Sequence, residues 1–169
     1  MTYRYALTRE SYADLSGGVL HSAPGFPAFP VRLASEMFQR ALAFSPSSTA
    51  QLWDPCCGSG YLLTALVLLH RRDIVGVLGS DLNPGALNLA QKNLALLSEH
   101  GMAARSDELR ARAERLGKLA YLVPPQRLSD SLEDSRSAAA RFHVASHRQT
   151  SSTPNNYDAL WAVHGSGNF

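Results

Sequence analysis

The sequence predicts an α/β fold built on a parallel β-sheet, and three observations support this prediction. Up to Leu97 the predicted elements alternate as helix, strand, helix, strand and helix with short connections, an order that is typical of parallel strands joined by helices. A loop that contains Gly58 and Gly60 follows the first strand and opens a helix. Both strands end in an acid, Asp54 in the first and Asp81 in the second.

The composition is that of one globular domain. The chain has 169 residues, of which 45% are hydrophobic and 18% charged, and a formal net charge of +2. This charge permits a nucleic-acid partner without arguing for one. The only two cysteines are neighbours, so no disulfide framework is expected and a reducing cytoplasm is the predicted location. The longest apolar run, residues 61–69, is too short to span a membrane, so no membrane partner is expected.

The first predicted elements are a helix, a strand and a second helix. Residues 1–29 are predicted to be irregular, because prolines and glycines interrupt them. Pro30 suits the first position of a helix, and apolar side chains follow at three- and four-residue spacing. These side chains are Val31, Ala34, Met37, Phe38, Ala41 and Leu42. The run AQLW ends at Asp54 and predicts a buried strand. Residues 61–70, apolar on almost every side, predict a buried helix.

The second half of the alternation begins with a strand over residues 74–81, which is rich in β-branched side chains. Asn83 and Pro84 then predict a helix start, with Asn83 as the N-cap. The predicted buried stripe of this helix consists of Leu87, Ala90, Leu94 and Leu97.

The remaining sequence predicts weaker elements. A charged helix over 104–118 has an apolar seam of Leu109, Ala113 and Leu116. Its arginines are predicted to form a solvated face, with RNA phosphates as the alternative partner. A polar helix over 127–141 and a third strand, RFHVAS, follow. A flexible linker leads to a possible fourth strand, YDALWAV. The domain prediction is therefore one folded domain with an N-terminal extension over 1–145 and a flexible or divergent tail over 146–169.

Three kinds of site compete for the loop WDPCCGSGYL. A phosphate-binding P-loop requires a lysine that this loop lacks. A metal site is not expected, because Cys56 and Cys57 lack Cys-x-x-Cys spacing and no other cysteine exists; we expect both to fill a tight turn. A dinucleotide fingerprint is disfavoured by Leu63, which stands where close helix–strand contact requires glycine. Glycines before a helix N-terminus, with Asp81 at the next strand end, still favour a nucleotide-type cofactor.

The stretches DPCCGSGYLL and SDLNP resemble the first and second motifs of the class I methyltransferases, which bind S-adenosyl-L-methionine in a Rossmann-like fold. In that family the loop wraps the methionine part, the acid matching Asp54 orients its ammonium group and the acid matching Asp81 holds the ribose. The residue matching Leu82 packs on adenine. The resemblance therefore implies these cofactor-binding residues: Asp54, Pro55, Cys56, Cys57, Gly58, Ser59, Gly60, Asp81 and Leu82.

The likeness extends from residue 15 to residue 98 and, more loosely, to about residue 141. Over this length the chain resembles the avilamycin-resistance methyltransferases, which methylate a guanine of large-subunit ribosomal RNA. The resemblance implies an rRNA methyltransferase of the antibiotic-resistance type.

Three further residues have two interpretations. Phe26 and Phe29 are predicted to anchor the N-terminal segment in the core, with stacking on a base or on adenine as the alternative. For Arg32 we keep both a structural role and a contact with substrate or cofactor.

One motif of that family is missing from the sequence. Its fourth strand ends in a stretch of the type Asp-Leu-Pro-Tyr-Gly that holds the target base, whereas residues 163–166 here read Val-His-Gly-Ser. We therefore expect a fold truncated after about the fourth strand, with the cofactor half intact and methyl transfer impaired. No catalytic residue is assigned. The alternatives are a module that binds S-adenosyl-L-methionine without catalysis and a nucleotide-dependent oxidoreductase.

Overall fold

A computed structural model of the chain describes residues 2–7, 12, 15, 18–117 and 141–146, the last range as backbone alone. The elements in chain order are α1 (Val31–Ala43), β1 (Ala50–Asp54), α2 (Tyr61–Leu69), β2 (Ile74–Asp81), α3 (Pro84–Ala95), α4 (Glu99–Leu116) and β3 (Arg141–Ser146). The predicted alternation of helices and strands is therefore confirmed, but β1, predicted to be a buried strand, has no fully buried residue and leaves Trp53 50% exposed.

The three strands form one parallel sheet in the order β1-β2-β3. Asp54 at the end of β1 is in register with Gly79, and Asp81 at the end of β2 is in register with Ser146. The predicted third strand is confirmed, and so is the α/β class with its parallel sheet. The predicted polar helix up to residue 140, the tail from residue 147 and the predicted fourth strand lie outside the described residues.

The core lies between the sheet and the helices. Helix α2 is buried along most of its length, as predicted for a segment that is apolar almost all round. Side chains from α1, α2, β2, α3 and α4 meet Leu15, Val19 and Leu20 of the N-terminal segment in one cluster. This packing holds part of the segment that precedes α1 against α2, the helix that follows the loop after β1.

Helix α1 buries Val31, Ala34 and Phe38 of the predicted face, but two predicted members are exposed and an unpredicted residue is buried. Met37 is 52% exposed and Ala41 is also exposed, whereas Glu36 is fully buried. Its carboxylate accepts hydrogen bonds from the backbone N–H groups of residues 4–6 at 2.7–2.8 Å and from Arg40 Nε at 2.6 Å. Burial alone would raise the pKa of Glu36, but these donors outweigh it and lower the pKa from 4.5 to about 2. The burial of Glu36 was not predicted, because the chain that covers this side of the helix lies about 30 residues away in the sequence.

Arg32 completes the anchoring of that chain. Its guanidinium donates to the carbonyl oxygen of Ala6 at 2.8 and 2.9 Å and to that of Leu7 at 3.1 Å. It also lies 4.0 Å from the ring centroid of Tyr3. Of the two interpretations of Arg32, the structure therefore supports the structural one. We call residues 2–7, held by Glu36 and Arg32, the N-terminal clasp.

Helix α4 begins at Glu99 rather than at residue 104. The hydroxyl of Ser98 caps it by accepting from the N–H of Gly101 at 3.0 Å. Arg105 was predicted to lie on a solvated face but is buried. Its guanidinium donates to the carbonyl oxygens of Val19 at 2.9 Å and Gly18 at 3.3 Å. It also forms an ion pair with Glu108. The predicted seam is also only partly buried, since Leu109 and Ala113 are covered and Leu116 is 48% exposed.

A candidate cofactor site at the carboxyl ends of β1 and β2

The loop after β1 turns sharply and is tied to both strands. Gly60 N–H donates to the Cys57 carbonyl at 2.8 Å, and Cys57 N–H donates to the Ser80 carbonyl at 2.9 Å. One carboxylate oxygen of Asp54 accepts from the N–H of Cys56 at 3.0 Å. These bonds fix the loop at the carboxyl edge of the parallel sheet, where open α/β sheets bind ligands.

The two loop glycines have left-handed backbones for different reasons. Gly60 has φ = 68°, and a Cβ there would lie 3.0 Å from both Cα and Cβ of Ala90. A glycine is therefore required at position 60 by the packing of α3 against the start of α2. Gly58 has φ = 53°, and among the described residues the nearest group to a Cβ there is Phe26, at 4.0 Å. Gly58 consequently leaves room on the side of the loop that faces a cavity.

Asp81 links the loop to the next helix. Its Oδ2 accepts from the N–H of Gly58 at 2.9 Å and its Oδ1 accepts from the N–H of Asn83 at 2.9 Å. Asn83 in turn caps α3, as predicted, by accepting from the N–H groups of Gly85 and Ala86. Each carboxylate oxygen of Asp81 can accept a second hydrogen bond, so the half-buried acid retains acceptor capacity for a ligand.

A cavity of about 320 Å³ opens beside the loop, which is at the small end of the range for ligand pockets. One side, which we call the loop wall, is formed by Asp54, Cys56, Cys57, Gly58 and Ser59. A second part of the lining, which we call the aromatic wall, is formed by Gly25, Phe26, Pro27 and Phe29. Tyr61 and Leu62 complete the lining. The structure thus places five of the predicted site residues around one cavity.

The other four predicted residues do not line it. Pro55 is exposed and Gly60 packs on α3. Asp81 contacts the loop through its hydrogen bond from the N–H of Gly58. Leu82 is 68% exposed at the surface next to Asp81, so its side chain lies on a separate, open part of the same sheet edge.

The two cysteines have opposite environments. Cys57 is buried, and a Cβ on Gly79 would lie 3.1 Å from its sulfur. Burial, followed by the charges of Asp54 and Asp81, raises the pKa of Cys57 to about 11. Cys56 is exposed, so the prediction that both cysteines fill a tight turn is confirmed for Cys57 and wrong for Cys56.

Close contact between helix and strand is achieved by a glycine on the strand. Leu63 occupies the helical position where a dinucleotide fingerprint has its last glycine. A Cβ on Gly79 of β2 would lie 3.3 Å from Leu63 Cδ1, so Gly79 makes the room that Leu63 needs. This role of Gly79 was not predicted from the sequence, because its partner, Leu63, lies on another element.

Two further parts of the site differ from the prediction: one was not predicted at all, and the other was assigned mainly to the core. Asn93 of α3 is fully buried and donates to the carbonyl oxygen of Ser59 at 2.8 Å. The aromatic wall was interpreted mainly as a core anchor, and this holds for Phe29, which packs against the core. Phe26 lines the cavity, and the signal for it was a phenylalanine enclosed by glycine and proline in the stretch PGFP.

The cavity lining and the adjoining sheet edge suit S-adenosyl-L-methionine, which carries positive charge on its ammonium and sulfonium groups. Two carboxylates, Asp54 and Asp81, stand at this edge of the sheet, and both retain acceptor capacity. Gly58 leaves the backbone accessible, since no group in the described part of the chain lies closer than Phe26 to the position of a Cβ. The remaining lining is mostly apolar or aromatic. The residues present therefore fit a cationic ligand with one apolar part.

None of the helices in the described part of the chain is long and apolar enough to cross a membrane. Within the same residues, no three histidine, cysteine, aspartate or glutamate side chains are grouped so that they would hold a metal ion.

Comparison with known proteins gives a consistent result. The family model described as rRNA methyltransferase AviRa matches residues 1–158. The chain is 60% identical over 126 residues to a 23S rRNA (guanine(2535)-N(1))-methyltransferase of Streptomyces viridochromogenes, an alignment that covers 73% of this chain and 50% of the relative. This chain thus spans about half the length of that relative.

Two solved structures of the rRNA methyltransferase aviRa from Streptomyces viridochromogenes, at 1.5 Å and 2.4 Å, also match. Each superposes with a TM-score of 0.80 at 51% identity and covers 88% of this chain and 61% of the solved chain. The resemblance inferred from the glycine loop and the stretch SDLNP is confirmed, as is the Rossmann-like fold that it implied. The chain belongs to the AviRa family of rRNA methyltransferases.

Proposed function

We propose that this chain binds S-adenosyl-L-methionine and forms the cofactor half of a methyltransferase that acts on a guanine of large-subunit ribosomal RNA. The observation that carries the proposal is the cavity between the loop wall and the aromatic wall, with Asp54 at its edge. It lies at the carboxyl ends of parallel strands, where folds of this type bind nucleotide-like ligands.

The roles of the site residues follow from their positions. Asp54 has a carboxylate oxygen beyond the one that accepts from Cys56, and we assign it to the ammonium group of the cofactor. The backbone of the loop wall lies against the methionine part. Asp81, with its remaining acceptor capacity, accepts from the ribose hydroxyls, and exposed Leu82 packs on adenine. When bound, S-adenosyl-L-methionine supplies a methyl group on a positively charged sulfur.

Charge complementarity supports this assignment over a phosphate-bearing cofactor. Two carboxylates at one edge of the sheet attract a cation and repel a pyrophosphate. The site also lacks the lysine of a P-loop. A nucleotide-dependent oxidoreductase is therefore less consistent with this site than a methyltransferase.

The RNA substrate is proposed from the relative, whose name specifies 23S rRNA and a guanine. Methyl transfer is an in-line displacement and depends on holding the two reacting atoms in line. Enzymes that modify a base also have to hold it out of its stack. The 169 residues contain no Asp-Leu-Pro-Tyr-like stretch for this purpose. We propose that this polypeptide by itself binds the cofactor but transfers the methyl group only very slowly.

Calorimetry and a transfer assay test the two halves of the proposal separately. The purified 169-residue polypeptide is titrated with S-adenosyl-L-methionine and, as a control, with NAD. Transfer of a labelled methyl group to 23S rRNA is then measured. The proposal predicts binding of S-adenosyl-L-methionine alone, with little or no transfer. The absence of binding would overturn the cofactor site, and rapid turnover would overturn the claim that transfer is impaired.

A further inference from the structure

The side chain of Asn93 makes three hydrogen bonds that were not predicted from the sequence. It is fully buried on α3. Its Nδ2 donates to the carbonyl oxygens of Ser59, at 2.8 Å, and of His21, at 3.0 Å, while its Oδ1 accepts from the N–H of His21 at 2.7 Å. Both amide hydrogens and the amide oxygen are therefore engaged.

These bonds join two separate parts of the chain. Ser59 belongs to the loop wall. His21 lies in the segment that leads into the aromatic wall, which begins at Gly25. The amide pairs with both the N–H and the C=O of His21 in the way that a neighbouring peptide group would. Asn93 thus acts as a bridge between the two sides of the cavity.

Helix α3 also contacts Gly60, the residue that directly follows the loop wall, and this contact strengthens the bridge. Ala90 lies one helical turn before Asn93, on the same face. It stands so close to Gly60 that a Cβ there would lie 3.0 Å from Ala90 Cα. Helix α3 therefore holds Ser59 through a hydrogen bond and Gly60 through packing. The helix is rigid over this distance, so the loop has little freedom to shift alone.

We propose that Asn93 is a positioning residue for cofactor binding, because it sets the spacing between the loop wall and the aromatic wall. The inference rests on the proposed binding of S-adenosyl-L-methionine in this cavity. Only an amide suits the site: an ionised aspartate lacks donors for the two carbonyl oxygens, and an apolar side chain would leave all three backbone groups without this partner, including the buried Ser59 carbonyl.

Asn93→Asp is the first test, because it keeps the shape and the acceptor for His21 N–H but removes both donated bonds. Asn93→Ala, which adds no charge, is measured beside it. Asn88→Asp is the matched control, since Asn88 is exposed on the same helix. Leu94→Val, at a buried neighbour outside the cavity lining, reproduces a loss of stability without touching the bridge.

We expect the Kd for S-adenosyl-L-methionine to rise about tenfold or more in both Asn93 variants and to stay within about twofold of the unsubstituted chain in Asn88→Asp and Leu94→Val. Unchanged binding in the Asn93 variants would overturn the inference. Equal weakening in Leu94→Val would also overturn it, because the loss would then follow stability alone.

Hydrogen exchange of the unliganded proteins separates this inference from the proposed function. Asn93→Asp is expected to speed exchange of backbone amides in residues 21–29 and 56–60, while amides in the middle of α1 exchange as before. If the unsubstituted chain does not bind S-adenosyl-L-methionine, the proposed function fails, and the exchange pattern alone decides the role of Asn93. Unchanged exchange in these two segments would contradict the bridge.

Discussion

Asp81 accepts a hydrogen bond from the backbone N–H of Gly58 through Oδ2, at 2.9 Å. The bond connects the acid that ends β2 to the glycine loop that follows β1. The other oxygen of the same carboxylate accepts from Asn83 N–H at the start of α3. The loop is therefore held in shape before a ligand arrives, and such preorganisation lowers the cost of binding.

Asp81→Asn is expected to weaken the site and the fold together. An asparagine presents one oxygen and one NH₂ group, so one of the two N–H donors would face another donor. We expect a loss of about 1–3 kcal/mol in the free energy of unfolding and a rise in the Kd for S-adenosyl-L-methionine of at least about tenfold. Urea denaturation and calorimetry measure the two effects. Asp107→Asn, on the exposed face of α4, is the control, and equal behaviour of the two variants would contradict this account of Asp81.

Gly60→Ala is expected to destabilise the fold for two reasons that a control can separate. The left-handed backbone at φ = 68° costs about 1–2 kcal/mol for a residue with a Cβ. The contact with Ala90 at 3.0 Å adds about 1–3 kcal/mol of overpacking. Gly117→Ala has nearly the same backbone angle, φ = 64°, and none of the described residues lies within 4 Å of a Cβ there, so it should show only the first cost. Equal losses in urea denaturation would refute the role assigned to Ala90.

Glu36→Gln is expected to change how stability depends on pH. The folded-state pKa of Glu36 is about 2, below its ordinary 4.5, so the ionised carboxylate stabilises the fold at pH values above 4.5. This contribution is lost as the pH falls from about 4.5 to 2. The free energy of unfolding of the unsubstituted chain should therefore fall more steeply over this range than that of Glu36→Gln. Parallel pH profiles would show that the N-terminal clasp does not depend on the charge.

The two cysteines are expected to react very differently with iodoacetamide at pH 8. Cys56 is exposed, whereas Cys57 is buried with its pKa raised to about 11, and the thiolate is the reactive form. Cys56→Ser should therefore abolish rapid labelling, and Cys57→Ser should leave it intact. Because Cys56 lines the cavity, S-adenosyl-L-methionine should slow its labelling. Mass spectrometry that finds the label on Cys57 first would contradict the structure of the loop.

Features that depend on local sequence were predicted well. The N-cap of α3 followed from Asn83 and Pro84, and the ends of β1 and β2 followed from apolar runs that stop at Asp54 and Asp81. Each of these signals lies within a few residues of the element that it defines. The parallel order of the strands followed from their alternation with helices.

Features that depend on distant partners were not predicted. Asn93 contacts a residue 72 positions away, and Glu36 contacts residues about 30 positions away. A buried polar residue and an exposed one look alike in the sequence, so the face of α1 was assigned by its apolar residues and Met37 was placed wrongly. The start of α4 was missed because glycine at position 101 weakened the helical pattern just after its cap, Ser98.

The most direct test of the account is the calorimetric titration of S-adenosyl-L-methionine into the 169-residue chain and into Asp54→Asn. The variant keeps the acceptor for Cys56 N–H but removes the charge assigned to the ammonium group. We predict binding of one molecule per chain, weakened at least about tenfold by the substitution. The absence of binding to the unsubstituted chain, or equal affinity in the variant, would contradict the proposed site.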